Sequence, residues 1–216
     1  GSPKSPAAMG VVAPWMTSGP VSRRAAERAM CGIIGVTGLS GASRILIEGL
    51  KTLEYRGYDS AGVAVFDDDK LVVVRRAGKL AELEGALAET EPFGRCGLGH
   101  TRWATHGPPV ERNAHPMVDT AERVAVVHNG IIENHEALRD ELIAAGIELR
   151  SDTDTELVAH LVAAELAAGA GLAQALRTVV GRLEGSYALA IASADHPGTL
   201  VATRHQSPLV LGVAEG

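Results

Sequence analysis

The chain has 216 residues, 46% hydrophobic, 21% charged and only 3% aromatic, with a formal net charge of −6. That length allows one large domain with an aliphatic core, and the acidic balance argues against a nucleic-acid binder, which would carry a basic face. No apolar run approaches the roughly 20 residues of a membrane-spanning helix, and the cysteines, Cys31 and Cys96, make no disulfide framework and suit a reducing cytoplasm.

Residues 1–30 hold Pro3, Pro6, Pro14 and Pro20, many small side chains, and Lys4, Arg23, Arg24 and Arg28 against Glu27. They lack the apolar heart of a secretory signal and are expected to form a disordered extension, part tag (Gly1-Ser2) and part upstream translation. An Arg-rich organelle-targeting peptide is the competing reading. From Cys31 to Thr37 the pattern predicts a strand, and Ala42–Leu53 a helix with Ile45, Leu46, Gly49, Leu50 and Leu53 on one face. Ala61–Phe66 and Leu71–Arg76 flank Asp67-Asp68-Asp69-Lys70 and predict a hairpin. A helix over Lys79–Glu89 and strands over Gly97–Thr101 and Arg123–His128 follow, then a helix over Glu136–Ala145 that Gly146 ends. Thr153 with Glu156 reads as a capping box opening a helix from Asp154 to Ala168. Leu172, Leu176, Val179, Val180 and Leu183 give one more apolar helical stripe. Ser186–Ala192, Thr199–Ala202 and Leu209–Val213 read as closing strands. Periodicity alone leaves their layering open.

Several residues carry possible chemistry. If translation starts at Met30 and that methionine is trimmed, Cys31 becomes N-terminal and its α-amino group can serve its own thiol. The reference pKa values, roughly 8.5 for the thiol and 7.7–8.0 for the amine, make that proton transfer nearly balanced. A buried strand cysteine is the bland alternative. Asn129-Gly130 is a favoured turn pair and alone predicts only a turn after the strand. Arg102, beside Trp103, offers the parallel N–H groups that clamp a carboxylate. Asp152, Asp154 and Glu156 all suit the first turn of a helix, so position does not choose among them. The spacing of His100, His106, His115, His128 and His135 around Cys96 matches no zinc pattern, and no metal is expected.

Five motifs in order then narrow the reading: Tyr55-Arg56-Gly57-Tyr58-Asp59-Ser60-Ala61-Gly62, His100-Thr101-Arg102-Trp103-Ala104-Thr105-His106-Gly107, Asn113-Ala114-His115-Pro116, His128-Asn129-Gly130-Ile131-Ile132-Glu133-Asn134-His135, and Ser151-Asp152-Thr153-Asp154-Thr155-Glu156. With the cysteine start they resemble the glutaminase domain of class II glutamine amidotransferases, most of all the glutamine–fructose-6-phosphate aminotransferase branch. The resemblance runs from Cys31 to about Gly212 and sets residues 31–216 apart as a glutamine amidotransferase domain. It implies an α+β fold, the four-layer αββα sandwich of N-terminal-nucleophile hydrolases. It also implies further strands beyond Gly216, so that this unit is truncated and keeps an unpaired sheet edge.

By carry-over, Cys31 is the nucleophile, with Arg56 and Gly57 beside it, and Asn129 and Gly130 form the oxyanion hole. Arg102 clamps the glutamine α-carboxylate, Asp154 pairs with its α-ammonium, Thr105 and His106 line the pocket, and Trp103 gates ammonia. The implied activity is hydrolysis of glutamine to glutamate and ammonia, without a cofactor, for making glucosamine 6-phosphate from fructose 6-phosphate. The sugar-isomerase domains of such an enzyme are absent from this chain, and the full-length enzyme is expected to be a cytoplasmic homo-oligomer. Two alternatives stand beside this: the glutaminase domain of another amidotransferase, and a catalytically silent glutamine-binding module with Cys31 blocked by the leader.

Overall fold

The computed structural model describes residues 10–11, 31–67, 70–90, 92–103 and 108–213. Among the described residues, nine strands form two sheets. The first, in the order β1-β2-β5-β3-β4, is built from β1 (Gly10–Val11), β2 (Gly32–Thr37), β5 (Cys96–Arg102), β3 (Ser60–Asp67) and β4 (Lys70–Ala77). The second, β6-β7-β8-β9, comprises β6 (Met117–Val118), β7 (Val124–Ile132), β8 (Gly185–Ser193) and β9 (Leu200–His205). Every pairing between these strands is antiparallel.

The alternation of side chains along each strand explains the layering. In β3, Val63 and Val65 join one apolar cluster while Ala64 and Phe66 join another. In β7, Val124 and Val126 face one side, Ala125 and Val127 the other. Helices α1 (Ala42–Leu53) and α2 (Leu80–Thr90) cover the outer face of the first sheet through Leu46, Leu50, Leu53, Leu83 and Leu87. Helices α3 (His135–Ala144), α4 (Thr155–Ala167) and α5 (Leu172–Val180) cover the second through Leu138, Leu157, Val158, Leu161 and Leu176. Between the sheets lies a layer of small side chains, Ala64, Ala125, Ala190 and Ala192, with Phe66, Cys96 and Leu98. Three apolar layers thus hold four layers of secondary structure, the αββα sandwich.

The strand and helix expectations hold apart from particular departures. Asn129-Gly130 makes no turn: β7 runs on to Ile132, with Asn129 opposite Ala188 and Gly130 opposite Tyr187. Pairing with β8 along the whole segment outweighs the local turn preference. Leu209–Val213 forms no strand. β9 ends at His205, Gln206 takes a positive φ of 59°, and Pro208 lacks the N–H that would continue a ladder. The capping box is half made: Glu156 N–H donates to Thr153 Oγ1 at 3.4 Å, but the Glu156 carboxylate reaches past Thr153 to the N–H groups of Arg150 and Ser151, both at 2.7 Å. Of residues 1–30, Gly10–Val11 pair with β2, and the rest of the expected disordered extension lies outside the described residues, as do Asp68 and Asp69 of the hairpin turn. No helix among the described residues is long and apolar enough to cross a membrane.

Candidate active site

The register of the first sheet assembles one end of the site. Gly32 lies opposite Thr101, and Ser60 opposite Arg102, so the start of β2, the end of β5 and the start of β3 meet at one sheet end. Cys31 therefore falls beside Trp103. Its Sγ accepts the Trp103 N–H at 3.1 Å and donates to Trp103 O at 3.4 Å. Gly57 packs on the same stretch: a Cβ there would sit 2.7 Å from Arg102 C and 3.0 Å from Trp103 N, so only glycine lets the loop close behind the sulfur. Asp59 N–H, donating to Arg102 O at 3.1 Å, fastens that loop.

The second sheet brings the rest. Asn129 Nδ2, on β7, donates to Cys31 O at 2.8 Å. Behind it, His100 on β5 crosses the gap between the sheets, with Nε2 3.0 Å from His128 O and 3.0 Å from Asn129 Oδ1. Gly130 has a φ of 129°, and a Cβ there would lie 1.9 Å from Ser186 O, so no other residue fits beside β8. Asp154, just ahead of α4, accepts the Ile132 N–H at 2.9 Å through Oδ2, while Oδ1 receives Thr155 Oγ1 at 3.3 Å. His128 Nδ1 and Thr155 Oγ1 are 3.0 Å apart, closing a buried network at the helix start.

Charge is arranged to match. Arg102 is buried, only 4% exposed, and its guanidinium reaches Pro108 O at 3.4 Å. Burial lowers its pKa, and Cys31, Asp59 and Asp154 oppose that shift. A cation and an anion, Arg102 and Asp154, thus sit in one electrostatic neighbourhood, as an amino acid with a charged α-carboxylate and α-ammonium requires. Burial pushes the Cys31 thiol above its ordinary value, against the Trp103 hydrogen bond and the Arg102 charge. The sulfur is therefore protonated at neutral pH and needs a base before it can attack.

The expected site residues fall into three groups. Cys31, Gly57, Arg102, Trp103, Asn129, Gly130 and Asp154 lie in the assembly just described. Arg56 closes the 3-10 turn Glu54–Arg56 immediately before Gly57, and its side chain lies outside the described part of the structure. Thr105 and His106 lie outside the described residues. The approach of Trp103 to the sulfur is through its backbone, while its ring meets Tyr58 edge-on with centroids 5.1 Å apart. No group of three His, Cys, Asp or Glu side chains among the described residues is placed to hold a metal.

Sequence reasoning missed two contributors. His100 had a signal, since it lies two residues before Arg102 on the same face of a strand. Glu156 reads from sequence as a cap, although its carboxylate binds the loop that leads to Asp154.

Residues 100–216 match the glutamine amidotransferase domain family. The chain belongs to that family. The matched amidotransferase segment contains Arg102, Asn129, Gly130 and Asp154, while Cys31 and Gly57 lie before it. The domain is 57% identical over 188 residues to the glutamine–fructose-6-phosphate aminotransferase of Streptomyces coelicolor, covering 87% of this chain and 31% of that protein. Identity to the enzyme of the same name from Mycolicibacterium smegmatis is 54% over 197 residues, again 87% of this chain and 31% of the relative. The amidotransferase domain thus spans about a third of these curated relatives. Its fold is that of glutamine phosphoribosylpyrophosphate amidotransferase from B. subtilis, with a TM-score of 0.65 and 27% identity over 75% of this chain and 35% of that one.

Proposed function

We propose that this domain hydrolyses glutamine to glutamate and ammonia through a thioester on Cys31, as the glutaminase part of an enzyme that makes glucosamine 6-phosphate from fructose 6-phosphate. The observation that carries the reading is that Cys31 is held from both sheets, its Sγ 3.1 Å from Trp103 N and its carbonyl oxygen 2.8 Å from Asn129 Nδ2. The 50–57% identity to aminotransferases of that name favours the amino-sugar branch over the other amidotransferases.

In this mechanism Arg102 takes the substrate α-carboxylate and Asp154 its α-ammonium, which aims the side-chain amide at Cys31. The sulfur attacks the δ-carbon: an S–C bond forms, the negative charge gathers on oxygen, and the Asn129 NH2 and the Gly130 N–H receive it. The C–N bond then breaks, and the thiol proton travels through the Cys31 α-amine to the leaving nitrogen, which departs as ammonia. Water adds to the thioester, the C–S bond breaks, and glutamate and the free thiol remain. The α-amine is needed because burial raises the thiol pKa. The active form on this reading begins at Cys31, with any homo-oligomer and the isomerase domains belonging to the longer enzyme. Such an enzyme works in the cytoplasm and needs no cofactor for this half-reaction.

One observation favours the silent-module reading for the chain as it stands: Met30 precedes Cys31, so the Cys31 nitrogen is a non-basic amide. A diazo-ketone analogue of glutamine separates the readings. Covalent labelling of Cys31 and sparing of Cys96 in protein beginning at Cys31 supports the nucleophile; no label at Cys31 refutes it.

A further inference from the structure

We infer that His100 is a positioning residue that holds the Asn129 carboxamide with its NH2 group turned toward Cys31. The inference rests on the reading of Asn129 as an oxyanion donor, and it begins from a question of orientation. The oxygen and nitrogen of a carboxamide are nearly the same size, so only hydrogen bonds decide which one faces the sulfur-bearing residue. Two backbone carbonyls, which can only accept, settle the matter from opposite ends. Cys31 O lies 2.8 Å from one end of the amide, so that end is the NH2. His128 O lies 3.0 Å from His100 Nε2, so that ring nitrogen carries a proton. The Asn129 oxygen, also 3.0 Å from Nε2, shares the same N–H.

The rest of the environment holds the ring in this state. His100 is fully buried, and burial lowers its pKa to about 3, leaving the ring neutral with a single proton to place. Among the described residues, Nδ1 meets no hydrogen-bond partner. A proton on Nδ1 would leave an unsatisfied buried donor and set a bare Nε2 against two oxygens. His115 packs against the ring with centroids 4.3 Å apart and a tilt of 47°, which restrains its rotation. Remove the His100 donor, and the Cys31 O contact alone holds the Asn129 amide, so the turned form gains population. The turned amide would present oxygen, not NH2, to the developing oxyanion, and the rate would fall without loss of ground-state binding.

The test is a double-mutant cycle on ammonia release by protein with Cys31 as its first residue. His100→Leu should lower kcat toward the Asn129→Ala value and not beyond it, with KM changed by less than about 2-fold. His100→Gln, whose amide nitrogen can stand near the place of Nε2, should recover most of the loss. In the Asn129→Ala background, His100→Leu should change kcat by less than about 3-fold. The same fall in kcat in both backgrounds would mean a merely structural role and overturn the proposal. If Asn129→Ala leaves kcat intact, the oxyanion reading itself fails. A second measurement, ¹⁵N shifts of the His100 ring in the 216-residue chain, bears on positioning alone. A protonated Nε2 with a bare Nδ1 at neutral pH supports it, and an Nδ1–H tautomer or an imidazolium overturns it.

Discussion

On the proposed mechanism Arg102 and Asn129 serve the substrate at different moments, and kinetics should separate them. Arg102 meets the ground state through a buried, charge-assisted contact worth about 1.5–3 kcal/mol. Arg102→Ala should therefore raise KM for glutamine by about 10-fold or more in steady-state assays of ammonia release, and an unchanged KM would sink the clamp assignment. Asn129 serves charge that exists only in the transition state. Asn129→Ala should lower kcat about 10²-fold with KM little altered, and a variant losing only affinity would reduce Asn129 to a strand residue. Cys31 adds a pH dependence. Its pKa is raised, so the thiolate is scarce at neutral pH and appears only above the ordinary thiol value of 9.0. Alkylation of the 216-residue chain by iodoacetamide should show a midpoint above that value at Cys31. Arg102→Ala should move the midpoint higher still, because the Arg102 charge lowers it. A midpoint below 9 would refute the burial account.

Elements explain what single residues cannot. The loop before α4 is held by one carboxylate: Glu156 receives the N–H groups of Arg150 and Ser151 and the Ser151 hydroxyl, all at 2.7 Å. Burial raises its pKa, but these bonds and His160 outweigh that, and the net shift is downward. A depressed carboxylate stabilises the fold at pH above its unfolded value near 4.5, and that stability is lost as pH falls through the lower, folded value. Glu156→Gln should thus cost about 1–3 kcal/mol at pH 7, with the gap to wild type narrowing in urea titrations at acid pH below 4.5. A gap independent of pH would contradict this. The β7–β8 pairing makes a parallel demand on Gly130. Alanine there meets both a positive φ and Ser186 O, whereas at Gly146, with a φ of 82°, nothing lies within 4 Å. Backbone strain alone costs about 1–3 kcal/mol and overpacking adds a similar amount. Thermal unfolding should show Gly130→Ala losing at least twice the stability that Gly146→Ala loses. Equal losses would mean the strand relaxes.

At the scale of the whole molecule, the decisive matter is what precedes Cys31. The two sheets stack so that Asn129 reaches Cys31 O and Trp103 cradles Sγ, which leaves the Cys31 nitrogen at the assembled site. With Met30 attached that nitrogen is a peptide amide, and losing a general base typically costs 10²–10⁴ in rate. The 216-residue chain should release ammonia from glutamine at least about 10²-fold more slowly than protein beginning at Cys31. Comparable rates from both forms, with intact mass proving the leader present, would refute the N-terminal-nucleophile mechanism for this chain.

The helices and most strands were legible in the sequence because their apolar periods are local: α1 begins and ends where the stripe of Leu46, Leu50 and Leu53 predicts. The proposed nucleophile and charged poles, Cys31, Arg102 and Asp154, were named from motifs that resemble one family, since position alone does not choose Asp154 over Asp152 or Glu156. Tertiary pairing decided the rest. Asn129-Gly130 prefers a turn locally, yet partners along β8 carry the segment through as strand. Leu209–Val213 has the composition of a strand and forms none. The clamp of Glu156 on the loop ahead of Asp154 and the inter-sheet bond of His100 to Asn129 link residues whose relation depends on register and stacking. A period of two tells which face a residue occupies, while which residue it faces across the gap is fixed only when the sheets pack.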